Sequence, residues 1–543
     1  MKLNNSRVLV VDDQRSFQVM LKGMLNNIGY TSIDMCESGE QAVKICNDHD
    51  FDLLLVDYNL GMNKKNGRQL LEELRAKSLI TTEAIFIIVT GENSRAMVLG
   101  AIENQPDDYI MKPFSQRQLS SRIERAYHKR QAMQPILTKL ADQDDKGAIE
   151  ACHKLITTGG KYSAHCKNLL AELFCKTGQY EESEKFLKSL LAERDISWAK
   201  VALARSLIGM SRFEEAKELL EELLVVHPQL LDAHDLKAKA LYGLSEPALA
   251  LQSLQDAADI SPYSIERQQQ IATIAKEVGE KTLAQETYQN IYELSKRSLH
   301  HDIEHLLNYV RNTFEASESA EEAPKRHKFH HEAMNCLHRA KQDNLYGDFD
   351  FATFEGLCQA KLEANKGELI KAKKSYYQAV KPFSDLGVEG IPKEFLGESL
   401  ITLGRIGEFE EMMQTANRMN NEKELGNFAA TALENFQKDE EQHERVAQFR
   451  QCYLDGSNAY DNGDYSAAAK AFRTALSLAP TNTGAALNLI QSMLQQCRND
   501  KKPQATLSEC KEVFRLLDGV QLPKQHKTRY SDLKQTYNKM MQK

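Results

Sequence analysis

Four apolar runs in the first 115 residues each stop at a polar side chain, and this pattern leaves few folds open. RVLVV (7–11) ends at Asp12 and Asp13, DLLLV (52–56) at Asp57, AIFIIV (84–89) at Thr90, and DDYIM (107–111) at Lys112. Between the runs, apolar residues recur about every 3.6 positions, as in Phe17, Met20, Leu21, Met24, Leu25 and Ile28. Near-continuous apolar strands alternating with amphipathic helices predict an α/β doubly wound parallel sheet covered on both faces. Ligands of such sheets bind beyond the carboxyl ends of the strands. The five polar positions should therefore share one crevice, where a carboxylate, an acidic metal pocket, a hydroxyl and an ammonium suit phosphoryl uptake.

Their order and spacing resemble the receiver domain of two-component response regulators, chemotaxis-type, over residues 5–128. The resemblance implies a five-stranded sheet and a phosphoacceptor, Asp57, that takes its phosphoryl group from a histidine kinase or a histidine phosphotransfer protein. It also implies Mg²⁺ held by Asp12, Asp13, Asp57 and the backbone carbonyl of Asn59, since this hard cation takes oxygen ligands. Thr90 and Lys112 would meet the phosphoryl oxygens. Tyr109 matches the aromatic that turns inward when Thr90 moves, and Lys112–Pro113 the family's cis peptide. Two plainer readings compete: solvated acidic loop tips, and a receiver that has kept its fold and lost its chemistry. Five strand-end matches in family order weigh against the first, and no required group is missing for the second.

Departures from the family pattern are local. The loop YNLGMNKKNG after Asp57 is about two residues longer than usual and lacks the common Met-Pro pair. Lys64 and Lys65 in it read as exposed cations, able to meet an acidic partner and by default simply solvated. Gln14 follows the acid pair where an acid is frequent, and Gly91 replaces the more usual alanine. Asn59 and Glu92 match positions that influence water access to the acyl phosphate, which suggests a short-lived signal.

At 543 residues the chain exceeds one core. Its 42% hydrophobic content and 12 prolines fit a folded chain. The net charge of −8 and the lack of a basic stripe argue against nucleic acid and anionic membrane as partners. The start, MKLNNSR, enters a strand at once and leaves no room for a leader peptide, and no apolar stretch reaches membrane-span length. Ten cysteines without a C-x-x-C pair suggest reduced thiols and a cytoplasmic location, with Cys166 and Cys175 packing as small hydrophobes.

Beyond residue 130 only helical periodicity continues, repeating about every 34 residues, the tetratricopeptide-repeat length. GSNAYDNGDYSAAAKAFRTALSLAP (456–480) resembles that repeat family most closely, with Gly456, Gly463, Tyr465, Ala468, Phe472, Ala475 and Pro480 on family positions, where small residues, Gly463 among them, are expected to let two antiparallel helices approach closely. Weaker copies pass through Ala171 and Gly178, Ala204 and Ala216, Ala238 and Ala250, Ala272 and Gly279, Ala360 and Gly367, and Gly404 and Gly407. An ordinary helical bundle is the bland rival. The expected division is 1–128 receiver, 129–160 connecting helix or degenerate repeat, 161–314 repeat block, 315–328 charged loop or joint, and 329–543 second repeat block.

Repeat arrays commonly bind peptides or helices. The expected function is thus a response regulator whose Asp57 phosphorylation controls binding of a protein or peptide by its repeats. The rival is a repeat array that reads RNA, for which a basic groove would be needed. No cyclase, diesterase, ATPase or methylesterase signature marks an output enzyme. His301 and His305, with His327, His330 and His331 nearby, allow a metal site but lack an acidic third ligand and read as polar histidines. Trp198 reads as a packing residue.

Overall fold

In a computed structural model, residues 6–61, 64–91, 106–383, 387–499, 504–520, 522 and 524–541 are described. They form two compact units, Met1–Ser319 and Ala320–Lys543. The first begins with strands β1 (Arg7–Val11), β2 (Ser32–Cys36), β3 (Leu53–Asp57), β4 (Ile85–Thr90) and β5 (Asp108–Met111). They pair in the order β2-β1-β3-β4-β5, all parallel. Helices α1 (Arg15–Ile28), α2 (Gly39–Asp48), α3 (Gly67–Ala76) and α4 (Gln116–Ala141) cover the two faces.

Strand alternation decides which helix each residue meets. Val8, Val10, Leu53, Leu55, Ile85 and Ile87 face Leu21 and Leu25 of α1 and Leu119 and Ile123 of α4. Leu9, Val11, Leu54, Val56, Phe86 and Ile88 face Ala42 and Cys46 of α2 and Leu70, Leu71 and Leu74 of α3. Both faces are dry, so the strands read as unbroken apolar runs rather than as alternating ones. β2 escaped the sequence reading because SIDMC is an edge strand with only Cys36 buried.

α4 continues past residue 128 without a break and ends at Ala141, so the boundary expected at 128 falls inside one helix. Its C-terminal half packs with the helix Asp145–Thr157, burying Met133, Ile136, Ala148 and Cys152 together. The turn between them has Gln143 at φ 57°, and the same left-handed residue recurs at Gly178, Ser211, Ser245 and Gly279. These positions are 35, 33, 34 and 34 residues apart. At each, the next residue's N–H reaches back to the preceding helix, as Asp144 does to Lys139 and Glu280 to Ala275. The segment after residue 129 thus shares the turn geometry of the helical pairs that follow it. The alanines at the repeat positions, Ala171, Ala204, Ala216, Ala250, Ala272 and Ala284, are buried.

The stretch 315–328 is helical on either side of a short break rather than a loop, and the division between the two compact units falls inside it. The helix Ile303–Ser319 carries its first part and the helix Ala323–Gln342 its second, leaving only residues 320–322 between them. Glu315 and the small residues beside it belong to a helix that buries Phe314, Ala316 and Ser317, which the charged composition concealed.

In the second unit, Gly463 was expected to let two helices approach closely, but nothing lies within 4 Å of where its Cβ would stand. Its φ of +81° is what favours glycine. Gly456 is the close-approach residue, with the Phe472 ring 2.9 Å from its missing Cβ. Gly407 combines both demands, φ +80° and the Ala479 Cα 3.0 Å from a built Cβ. Gly463→Ala should cost about 1 kcal/mol from backbone strain alone, whereas Gly407→Ala should cost about 2–3 kcal/mol because a backbone contact must also give. Denaturant unfolding of the two variants side by side checks the difference, and equal losses would remove the role given to Ala479.

Candidate phosphoryl-transfer site

β1 and β3 deliver Asp12 and Asp57 to the carboxyl edge of the sheet, and β4 and β5 deliver Thr90 and Lys112 beside them. Asp12, Asp57 and Thr90 are buried, while Asp13 is exposed at the mouth. One carboxylate oxygen from each of Asp12, Asp13 and Asp57 lies within 4.8 Å of the others, the only such cluster of potential metal ligands among the described residues. The histidines near 301 and 327–331 form no comparable cluster among those residues.

The Lys112 ammonium lies between the two buried acids, donating to Asp12 Oδ2 at 2.7 Å and to Asp57 Oδ2 at 2.9 Å. Its backbone N–H donates to the Thr90 carbonyl at 2.7 Å, which fixes β5 against β4 at the pocket rim. The Lys112–Pro113 peptide is cis. Burial pushes the Asp57 carboxyl up to about 6; Lys112 opposes the shift and the neighbouring Asp12 adds to it.

Two residues that the sequence reading treated only as helix periodicity, or passed over, take part here. Phe17 places its ring 3.8 Å from the Lys112 ammonium and packs edge-on against Phe114, a cation–π seat for the lysine stem. Buried Gln18 donates from Nε2 to the carbonyls of Asp12 at 2.6 Å and Cys36 at 3.0 Å, locking the ends of β1 and β2 together. A phenylalanine four positions after the acid pair and another after Lys-Pro were the available signal. Gln14, where an acid is frequent, donates its backbone N–H to Asp12 Oδ1 at 2.8 Å.

Asn59 is exposed at the pocket rim; its backbone hydrogen-bonds the Asp57 carboxylate, and its Oδ1 accepts the Gly61 N–H at 3.2 Å. Tyr109 is half-buried and packs against the α2–α3 face of the sheet. Glu92 lies outside the described residues. Of the two loop lysines, Lys64 is exposed, but the Lys65 side chain is largely buried in an ion pair with Glu73 of α3. Lys65 is thus a fixture of the loop and not a steering charge.

Three carboxylates face a single ammonium, and the acid between them is raised by burial. A divalent cation with oxygen ligands fits this donor set, with Asp12, Asp13 and Asp57 as its side-chain ligands.

Comparison with known proteins agrees with this geometry. The response regulator receiver domain profile matches residues 8–124, and tetratricopeptide repeat profiles match 201–265 and 459–501. A probable chemotaxis protein CheY of Rhizobium etli is 31% identical over 121 residues, 22% of this chain and 92% of that protein. Transcriptional regulatory protein CpxR of Klebsiella pneumoniae is 36% identical over 118 residues, 22% of this chain but only 47% of its own length. A crystal structure of a thermophilic TPR protein in Thermus thermophilus aligns with 34% of this chain and 98% of its own, at 16% identity and a TM-score of 0.29.

Proposed function

The chain belongs to the response-regulator family through its receiver domain, residues 8–124, and we propose that it is a phosphorelay protein whose tetratricopeptide repeats are the output. The observation that carries this reading is Lys112 set between Asp12 and Asp57 in a pocket of three carboxylates. In this reading an Asp57 oxygen attacks the phosphorus of a phosphohistidine on a histidine kinase or phosphotransfer protein. The P–N bond breaks, its electron pair stays on the imidazole, and that nitrogen takes up a proton. Asp12, Asp13, Asp57 and the Asn59 carbonyl would hold Mg²⁺, which when bound would neutralise charge on the transferring group. Lys112 exchanges its carboxylate partners for a phosphoryl oxygen, and the Thr90 hydroxyl donates to another. Hydrolysis of the acyl phosphate returns the site to its starting state.

The repeats have no part in that chemistry and supply surface. Stacked helical pairs offer a groove suited to a peptide or helix, and the net charge of −8 favours a protein partner over nucleic acid. No disulfide links the ten cysteines, and reduced thiols fit a cytosolic setting. No helix among the described residues is long and apolar enough to cross a membrane.

A pull-down with wild type and Asp57→Ala, each with and without acetyl phosphate and magnesium, tests the reading. A partner whose capture depends on phosphodonor in the wild type and not in the variant supports it. Identical capture in all four samples counts against receiver control of the repeats. Lys112→Ala and Thr90→Ala should still take up some phosphate, because neither is the nucleophile, yet lose most of the phosphate-dependent change in partner affinity. Intact mass measures the first and a binding titration the second; a change as large as wild type would remove both residues from the switch.

A further inference from the structure

We propose that α3 is the output surface of this receiver, and that its partner is the chain stretch 294–300 at the end of the helical pair Ile265–Glu277 and Lys281–Ser295. The proposal rests on Asp57 being the phosphoacceptor and names the route by which its state reaches the repeats.

α3 is joined to the acceptor almost without slack. Gly67, its first residue, donates its N–H to the Tyr58 carbonyl at 2.8 Å, and a Cβ there would stand 2.6 Å from the Asp57 carbonyl oxygen. Only glycine lets the helix start against the backbone of the residue that would be phosphorylated. Tyr58 in turn donates its N–H to the Val89 carbonyl, one residue before Thr90. Lys65, two residues before α3, is itself held, its N–H donating to Glu40 Oε1 at 2.9 Å while its ammonium pairs with Glu73 of α3.

The other side of α3 is already engaged. Gln69 is only 8% exposed and uses both ends of its amide. Its Oε1 accepts the Asn66 N–H at 3.1 Å, completing the capping box that starts α3. Its Nε2 donates at 3.2 Å to the carbonyl of Leu294, in the last turn of the helix Lys281–Ser295. Carbonyls in a last turn have no partner within their own helix, so this donor fills a place that would otherwise need water. One turn further along α3, Glu72 accepts from or pairs with His300 Nε2 at 2.6 Å. The acceptor loop, the α3 cap and the end of a repeat helix are therefore connected through a single side-chain amide, with Glu72 and His300 as a second tie.

A phosphoryl group on Asp57 brings about −1.5 to −2 charges into the pocket and draws Lys112 off the two acids. Gly67 brings the first turn of α3 to where a Cβ would meet the Asp57 carbonyl and hydrogen-bonds the next carbonyl, so a shift of that backbone is passed to α3. Movement of α3 breaks the Gln69–Leu294 and Glu72–His300 ties and frees the 296–302 connection that leads into the helix Ile303–Ser319.

Hydrogen exchange of the full-length protein with acetyl phosphate and magnesium tests this, with Asp57 occupancy read by intact mass on the same sample. Peptides covering 294–302 should exchange at least about fivefold faster when Asp57 is phosphorylated, the low end of ordinary allosteric coupling. Trypsin cleavage after Lys296 and Arg297 should rise in parallel. The double variant Glu72→Ala, His300→Ala should open the same peptides without phosphodonor while phosphate uptake stays unchanged. Full phosphorylation with unchanged exchange at 294–302 overturns the proposal, as does a response confined to β5. Failure to acquire phosphate at all overturns the receiver reading itself, and mass distinguishes that outcome from the others.

Discussion

Asp57→Asn should take up no phosphoryl group from acetyl phosphate in the presence of magnesium, under conditions where the wild-type chain gains one. The amide keeps the shape of the carboxylate and loses the oxyanion that forms the bond to phosphorus. Asp12 and Asp13 cannot substitute, since Asp12 already has Gln14 on one oxygen and Lys112 on the other, and Asp13 is exposed at the mouth. Intact mass after incubation decides it, and equal mass gain in variant and wild type would sink the assignment. The same substitution should also stabilise the metal-free protein at neutral pH. Burial raises the Asp57 carboxyl to about 6, so the folded chain holds that proton more tightly than the unfolded chain, whose aspartates titrate near 4. Ionised Asp57 thus costs stability that is fully felt above pH ~6 and vanishes below pH ~4, each tenfold difference in proton affinity being worth about 1.4 kcal/mol. The expected gain is about 1–3 kcal/mol at pH 7, shrinking to nothing as pH falls through that window, with added magnesium raising the wild type alone. Thermal melts at pH 4 and 7 with chelator or magnesium check each part.

How much of this was legible in the sequence varied with how local the physics is. The strand-end positions of Asp12, Asp57, Thr90 and Lys112 follow from apolar runs of fixed length, so the pocket could be drawn before any coordinates. β2 could not be read, because an edge strand with one buried residue has no run to display. The repeat register was visible as a period of small residues, whereas its punctuation was not: Gln143, Ser211 and Ser245 take the left-handed turn where glycine was sought. Gly463 was misread because sequence cannot separate a glycine needed for φ from one needed for space. Lys65, Gln69 and Glu72 were invisible as a connector because their partners lie either across the loop or more than two hundred residues away. At 315–328 the charged composition concealed the ends of two helices, which a loop reading missed, although the division between the compact units does fall there.

Lys373 is the extreme of that blindness, and replacing it should produce the largest loss of stability in the second unit. In the sequence, AKKSYY reads as an ordinary solvated helix face, yet Lys373 is 2% exposed. Its ammonium pairs with Glu408 and donates at 2.7 Å to the carbonyl of Thr481, 108 residues on. Thr481 itself donates from Oγ1 to the Ile406 carbonyl at 2.6 Å, so the helices Leu369–Ala379 and Leu396–Ile406 are both tied to the turn after Leu478. Alongside, Tyr377 donates its hydroxyl to Glu411 Oε2 at 2.8 Å, and burial raises the Glu411 carboxyl while Lys373 holds it down. One cation therefore serves two acids and a carbonyl in a place with little water. Lys373→Met fills similar volume and strands Glu408, and breaking a buried pair from one side typically costs about 3–5 kcal/mol. Without the ammonium, Glu411 loses a charge that holds its carboxyl down, so it keeps its proton to higher pH in the folded chain and the deficit should narrow as pH falls from 7 towards 5. Adding Glu408→Gln to Lys373→Met should recover a large part of the loss, because the unpaired charge goes with it. Calorimetry of the full chain would show the effect in the transition of the Ala320–Lys543 unit. A single variant within about 1 kcal/mol of wild type, or a double variant no better than the single, would mean that Lys373 merely fills space there.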